Sequence, residues 1–263
     1  MTARLACVQF DVKLGHVEEN LTHAGNLVDG LDSPQLVVLP ELATSGYDLR
    51  DRNELAQFSE IFGAGPAAQF ARAKASQLAA AIVLGYAERC GDSFYNSSLL
   101  ALPDGQLFNY RKLHLFSREK TLFEPGDARS PIVETPAGKV GMMICFDWFF
   151  PETARALALD GAQIIAHPSN LVLPWCQQAM FCRSVENRVI TITANRVGTD
   201  DHCGRNLVFT GQSQILDHQG RPLAQCDTTG EAVAWADANV EATKSKQLNE
   251  YNNLFEDRRT DVL

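Results

Sequence analysis

The sequence predicts an α/β fold, and three observations carry that expectation. Short apolar runs bounded by turn residues alternate along the chain with amphipathic stretches of helical period. Pro66, Pro151 and Pro174 stand where three of those stretches begin, a position at which the missing N–H costs nothing. The 263 residues and 45% hydrophobic content suit one large domain with an ordinary core. Nothing argues for a second domain, so residues 1–263 are expected to form one unit.

The elements follow in order. Leu5 to Phe10 is an apolar strand, and Leu21, Ala24, Leu27, Val28 and Leu31 keep helical spacing within a helix from Val17 to Leu31. Gln35 to Leu39 is a short strand stopped by Pro40. Gly63-Ala-Gly65 lacks the third glycine and the preceding strand of a nucleotide loop, so it marks the entry to a helix over Ala67 to Ala80. Ala81 to Tyr86, Ser97 to Leu102 and Gln106 to Lys112 are strands, the last two forming a hairpin around Pro103-Asp-Gly105. Lys139 to Cys145 fits a buried strand, followed behind Pro151 by a helix from Glu152 to Asp160. Ile164 to His167, a helix from Trp175 to Arg188, strands at Ile190 to Ala194, Gln212 to Leu216 and Ala232 to Ala236, and a helix from Val240 to Gln247 complete the pattern. The polar tail from Leu248 to Leu263 carries few helix signals.

Charge and cysteine usage exclude several function classes. The net charge is -9 with scattered Lys and Arg, which argues against a nucleic-acid or anionic-membrane partner. No apolar run approaches the roughly 18 residues of a membrane span, and Met1-Thr-Ala-Arg-Leu-Ala-Cys-Val enters a strand directly, so a cytoplasmic protein is expected. The 7 cysteines are odd in number and form no Cys-x-x-Cys pair, and the 6 histidines are dispersed. A disulfide framework, a metal site and a cofactor are therefore not expected. Asn20-Leu-Thr22 and Asn96-Ser-Ser98 match the glycosylation pattern but carry no meaning without secretion.

Three residues fall at strand ends where chemistry is expected. Cys145 closes an apolar run just ahead of Pro151, and a helix N-terminus or cation there lowers a thiol's pKa from about 8.5. Glu41 lies immediately past the strand that Pro40 stops. Lys112 shares a strand face with Phe108 and Tyr110. Two of them have an ordinary alternative: a buried small hydrophobe for Cys145 and a snorkelling amine for Lys112. A thiol, an acid and a cation at three strand ends are what nucleophilic catalysis needs, provided one sheet edge gathers them.

These residues lie in motifs whose ordered set resembles the nitrilase superfamily, the carbon–nitrogen hydrolases. The motifs are Leu-Pro40-Glu41 with Ser-Gly-Tyr47, Tyr110-Arg-Lys112-Leu-His-Leu-Phe116, Glu119 ahead of Phe123-Glu-Pro-Gly126, and Ile144-Cys145-Phe-Asp-Trp-Phe-Phe-Pro-Glu152. His167-Pro-Ser-Asn170, Glu186-Asn-Arg188, Asn195-Arg-Val-Gly198 and Phe209-Thr-Gly211-Gln-Ser213 follow in the family's order. The resemblance implies a four-layer αββα sandwich, no cofactor, a homodimer or higher homo-oligomer, and a C-terminal tail over 248–263 that reaches a neighbouring subunit. It also implies a Glu41, Lys112 and Cys145 triad with Glu119 as a fourth catalytic-site carboxylate. In this scheme Cys145 attacks the carbonyl of a small amide, and Lys112 with the Phe146 N–H holds the oxyanion. Tyr47, Phe146, Trp148 and Asn170 are the substrate-binding candidates by their places in these motifs. Read without the resemblance, Glu119 in Ser117-Arg-Glu-Lys-Thr121 is a solvated loop charge. Nitrilases of the family usually follow the cysteine with Trp-Glu, whereas Phe146-Asp147 here resembles the amidase and carbamoyl-amidase branches. An amidase is thus the leading expectation, with a nitrilase or a carbamoyl-amine hydrolase as alternatives.

Overall fold

A computed structural model describes residues 1–262. In chain order the elements are β1 (Thr2–Gln9), α1 (Val17–Asp29), β2 (Leu36–Val38), α2 (Arg52–Phe58), α3 (Pro66–Leu78), β3 (Ala81–Cys90), β4 (Ser93–Ala101), β5 (Leu107–Arg111) and α4 (Glu119–Leu122). They continue with β6 (Val133–Thr135), β7 (Gly138–Met142), a 3₁₀ turn over Cys145–Phe149, α5 (Pro151–Leu159), β8 (Ile164–Pro168), α6 (Cys176–Asn187) and β9 (Ile190–Ala194). The last are β10 (Thr199–Asp200), β11 (Leu207–Val208), β12 (Gln214–Leu216), β13 (Pro222–Gln225), β14 (Ala232–Asn239) and a 3₁₀ turn over Val240–Thr243.

Two six-stranded sheets dominate, ordered β14-β1-β2-β3-β4-β5 and β13-β12-β9-β8-β7-β6. In each, three central strands run parallel, β1-β2-β3 and β9-β8-β7, with antiparallel strands on both sides. Side-chain alternation along β1 builds the layers. Leu5 and Cys7 join residues of both sheets in the central core, while Ala6 and Val8 pack outward with the buried faces of α1 and α3. On the far side α5 and α6 cover the second sheet with Ala154, Leu157, Cys176 and Met180. The result is the four-layer αββα sandwich that the resemblance implied. Among the described residues no helix is long and apolar enough to cross a membrane.

Expected and observed elements differ where local chemistry overrides pattern. The strand expected to run to Cys145 ends at Met142, because the Asp147 carboxylate accepts the Ile144 N–H at 3.0 Å and turns the chain. The helix over Arg52–Phe58 was not expected, although Asp51 caps it by accepting the Asn53 and Glu54 N–H groups, both at 2.9 Å. β6, β10, β11 and β13 have two to four residues each, too few to display a period. The expected helix from Val240 to Gln247 shrinks to the 3₁₀ turn over Val240–Thr243. Of the tail over 248–263, Leu263 lies outside the described residues. Phe255 turns back onto this chain and packs between the Arg155 guanidinium and the Lys246 ammonium, 5.3 and 5.0 Å from its ring centroid.

Candidate active site

The sandwich brings Glu41, Lys112, Glu119 and Cys145 together at one end. Glu41 follows β2, Lys112 follows β5, and the two hairpin reversals β3-β4-β5 give β5 the direction of β2. Glu41 approaches β3 so closely that a Cβ on Gly85 would lie 2.5 Å from the Glu41 Cα, a space only glycine leaves open. Glu119 is the first residue of α4 and is 4% exposed, so it is no surface charge.

Lys112 is fully buried, and its Nζ donates to Glu41 Oε1 at 2.6 Å and to Glu119 Oε1 at 2.9 Å, with Glu119 Oε2 2.8 Å away in the same ion pair, so one N–H remains for another acceptor. Burial alone would push the ammonium's pKa down, but the Glu119 and Glu41 carboxylates outweigh it and hold the group protonated. The two carboxylates are satisfied differently. Glu119 Oε1 also accepts from the Tyr47 hydroxyl at 2.7 Å, and Oε2 from the Phe116 N–H at 3.1 Å. Glu41 Oε1 also accepts from Asn96 Nδ2 at 2.7 Å, whereas its Oε2 has no hydrogen-bond partner. Glu119 is thus a clamp on the lysine with donors on both oxygens, while Glu41 has one oxygen without a donor. Burial, and next the Lys112 charge that opposes it, set the Glu119 carboxyl, with a net rise above its ordinary value.

Cys145 begins the 3₁₀ turn with φ at 39°, a left-handed conformation that a residue with a side chain adopts only under constraint. The constraint comes from two buried residues that sequence reasoning gave no role. Asp147 accepts from the Tyr110 hydroxyl at 2.7 Å, the Ile144 N–H at 3.0 Å and the His114 N–H at 3.0 Å. His167 Nε2 donates to the Cys145 carbonyl at 2.9 Å, while Thr193 Oγ1 lies 3.1 Å from Nδ1 and supplies its proton. Burial pushes the His167 pKa down to about 4, so this imidazole is neutral and the tautomer is fixed by its partners. The Cys145 thiol is pushed up by burial and then by the Glu41 charge, against Lys112. Burial thus favours the neutral thiol over the thiolate.

The four substrate-binding candidates separate in the same way. Phe146, Trp148 and Asn170 line a cavity with Cys145, but Tyr47 is spent on Glu119. Asn170 Nδ2 donates to the Glu41 main-chain carbonyl at 2.9 Å, leaving Oδ1 buried without a partner. Asp147 and His167 lay inside recognised motifs, so their positions were visible but not their partners. Asn96, read only as part of a glycosylation triplet, gave no signal at all.

Comparison with known proteins places the chain in a family. The carbon-nitrogen hydrolase family model matches residues 4–247. The chain is 41% identical over 258 residues to a nitrilase from Pyrococcus abyssi (strain GE5 / Orsay), covering 97% of this chain and 97% of the relative. It is 35% identical over 224 residues to an (R)-stereoselective amidase from a Pseudomonas species, across 84% of this chain and 79% of the relative. Among solved structures, a carbon-nitrogen hydrolase from Helicobacter pylori G27 superposes with a TM-score of 0.84 at 26% identity, covering 92% of this chain and 91% of its own. Fold, motif order and near full-length match converge: the chain belongs to the carbon-nitrogen hydrolase family and is an enzyme of the nitrilase and amidase type.

Proposed function

We propose that the enzyme is an amidase that hydrolyses small linear amides to a carboxylic acid and ammonia or an amine, through a thioester on Cys145. The observation that carries this reading is the division of labour around the thiol: a lysine clamped by Glu119, and Glu41 with one unpartnered oxygen. Glu41 Oε2 takes the Cys145 proton as sulfur attacks the carbonyl carbon. The oxyanion forms against the Lys112 ammonium and the Phe146 N–H, a donor left free of helical pairing at the start of the 3₁₀ turn. The C–N bond then breaks as Glu41 returns its proton to the departing nitrogen. Water adds to the thioester, giving its proton to Glu41, and collapse releases the acid while Glu41 reprotonates the thiolate.

An amide is favoured over a nitrile by Asn170. Its Oδ1 is a buried acceptor without a partner, on a residue that lines the cavity with Cys145. A carboxamide NH₂ satisfies such an acceptor, and a nitrile has no N–H to give it. The similarity to a nitrilase makes the matched nitrile the competing substrate. Ammonia release from butanamide and butanenitrile should therefore favour the amide at least tenfold in kcat/KM. A faster nitrile would reverse the reading.

The proposal includes a homodimer. Phe149, Trp175 and Phe181 are 47%, 55% and 50% exposed on the cysteine turn and around α6, large apolar side chains that a second copy would cover. Light scattering should give at least twice 28.9 kDa. A fully active species of single-chain mass would refute it.

A further inference from the structure

The wall of the cavity carries information about the acyl group that the catalytic residues do not. Beyond Cys145 and Asn170, the cavity is lined by Phe116, Phe146, Trp148, Leu171, Val172 and Leu173, without one ionisable side chain. The space in it open to a water-sized sphere is about 10 Å³, far below the roughly 300–1,000 Å³ of pockets that hold drug-sized ligands. Behind this wall lies more apolar matter. The Phe146 ring packs on Phe116, Phe149 and Phe150 at centroid distances of 5.0, 5.6 and 5.5 Å, and Trp148 packs on Phe149 at 4.7 Å.

The charges at the thiol and behind the cysteine turn are already engaged. Lys112 is held by two carboxylates, and Glu119 has donors on both oxygens. Arg183, behind the cysteine turn, gives its Nε to the Trp148 carbonyl at 3.1 Å and its Nη1 to Glu186 at 2.9 Å. A substrate carboxylate would find no cation in the cavity lining to pair with, and at the thiol it would meet two carboxylates against one ammonium. A substrate ammonium would find one free carboxylate oxygen, Glu41 Oε2, and pairing there would remove the base. Either charge would lose water without replacement.

We infer that the site selects amides whose acyl group is small, uncharged and apolar, with Trp148, Leu171, Val172 and Leu173 as the specificity-determining wall. This inference rests on the amidase reading and adds the substrate class to it. Discrimination arises at the wall, not at the reacting carbon, so it should appear between amides that differ only in a remote charge.

Two matched pairs test it. 4-Methylpentanamide has the shape of succinamate with two methyl groups in place of the carboxylate oxygens, and pentanamide has that of 4-aminobutanamide with a methyl in place of the ammonium. In each pair kcat/KM for the neutral member should exceed that of the charged member at least 100-fold. Leu173→Arg, at a half-buried position that can accept the longer side chain, should narrow the succinamate gap at least tenfold and leave the 4-aminobutanamide gap as wide or wider. Thermal melts confirm that the variant is folded. Charged members turned over within threefold of their neutral partners would overturn the inference while leaving the amidase reading intact, and a folded Leu173→Arg with an unchanged succinamate gap would remove Leu173 from the wall. Absence of ammonia from all four amides, with nitriles turned over, would overturn the amidase reading itself.

Discussion

Cys145→Ala is expected to lower amide turnover by about 10⁴-fold or more, to the level left when an enzyme loses its nucleophile but keeps its oxyanion donors. The fold should survive. Alanine occupies the φ of 39° at a cost close to that of cysteine, and the hydrogen bonds holding the turn come from Asp147 and His167, which the change does not touch. Alkylation alone is a poor assay of this thiol, because Cys90 and Cys182 are exposed whereas Cys145 is 5% exposed with its pKa pushed up by burial. The informative measurement is substrate-dependent acylation followed by peptide mapping. The acyl group should sit on Cys145 in the parent and nowhere in the variant. Near-parental ammonia release by Cys145→Ala, or an acyl group on another cysteine, would dispose of the mechanism.

How far the sequence could carry this argument depended on which interactions leave a local trace. The central strand β2 is an uninterrupted apolar run and β8 is apolar up to His167, because helices or the opposite sheet cover both faces, and both were legible within a residue or two. The β3-β4 hairpin was only partly legible, since Asn96, Ser97 and Ser98 interrupt the apolar pattern for reasons found elsewhere in the fold. Asn96 holds Glu41, and the Ser97 hydroxyl donates to Glu88 at 2.6 Å. Glu41 and Lys112 were visible as polar residues at the ends of apolar strands. Glu119 was visible only through its place in the motif set, because it sits among the charged residues Arg118 and Lys120 and its turn inward to Tyr47 and Lys112 is made by tertiary contacts. Asp147 and His167 act through the backbone of Cys145, and a hydrogen bond to main chain leaves no spacing in the sequence to recognise.

Lys112→Met should cost both catalysis and stability, and pH separates the two. Losing the ammonium leaves the oxyanion to a single N–H donor, so kcat should fall about 10²–10³-fold or more. It also leaves Glu41 and Glu119 buried and facing one another without a countercharge, and breaking a buried ion pair in this way typically costs about 3–5 kcal/mol. The protein can soften that cost by protonating one carboxylate. Glu119 is the candidate, since burial raises its pKa even with Lys112 present, and removal of the cation raises it further. A carboxyl whose folded pKa exceeds its unfolded value contributes stability that is complete below the unfolded value and lost as pH rises through the folded one. The melting-temperature gap between Lys112→Met and the parent should therefore be small at acidic pH and widen toward pH 8. Glu119→Gln added to Lys112→Met removes one of the two facing charges at almost constant shape. The double variant should recover much of the stability at pH 8 and none of the turnover, because a relaxed pocket still lacks the cation that meets the oxyanion. Recovery of turnover with stability would mean that Lys112 serves only to neutralise the carboxylates, and a gap that does not change with pH would mean that they carry no unbalanced charge.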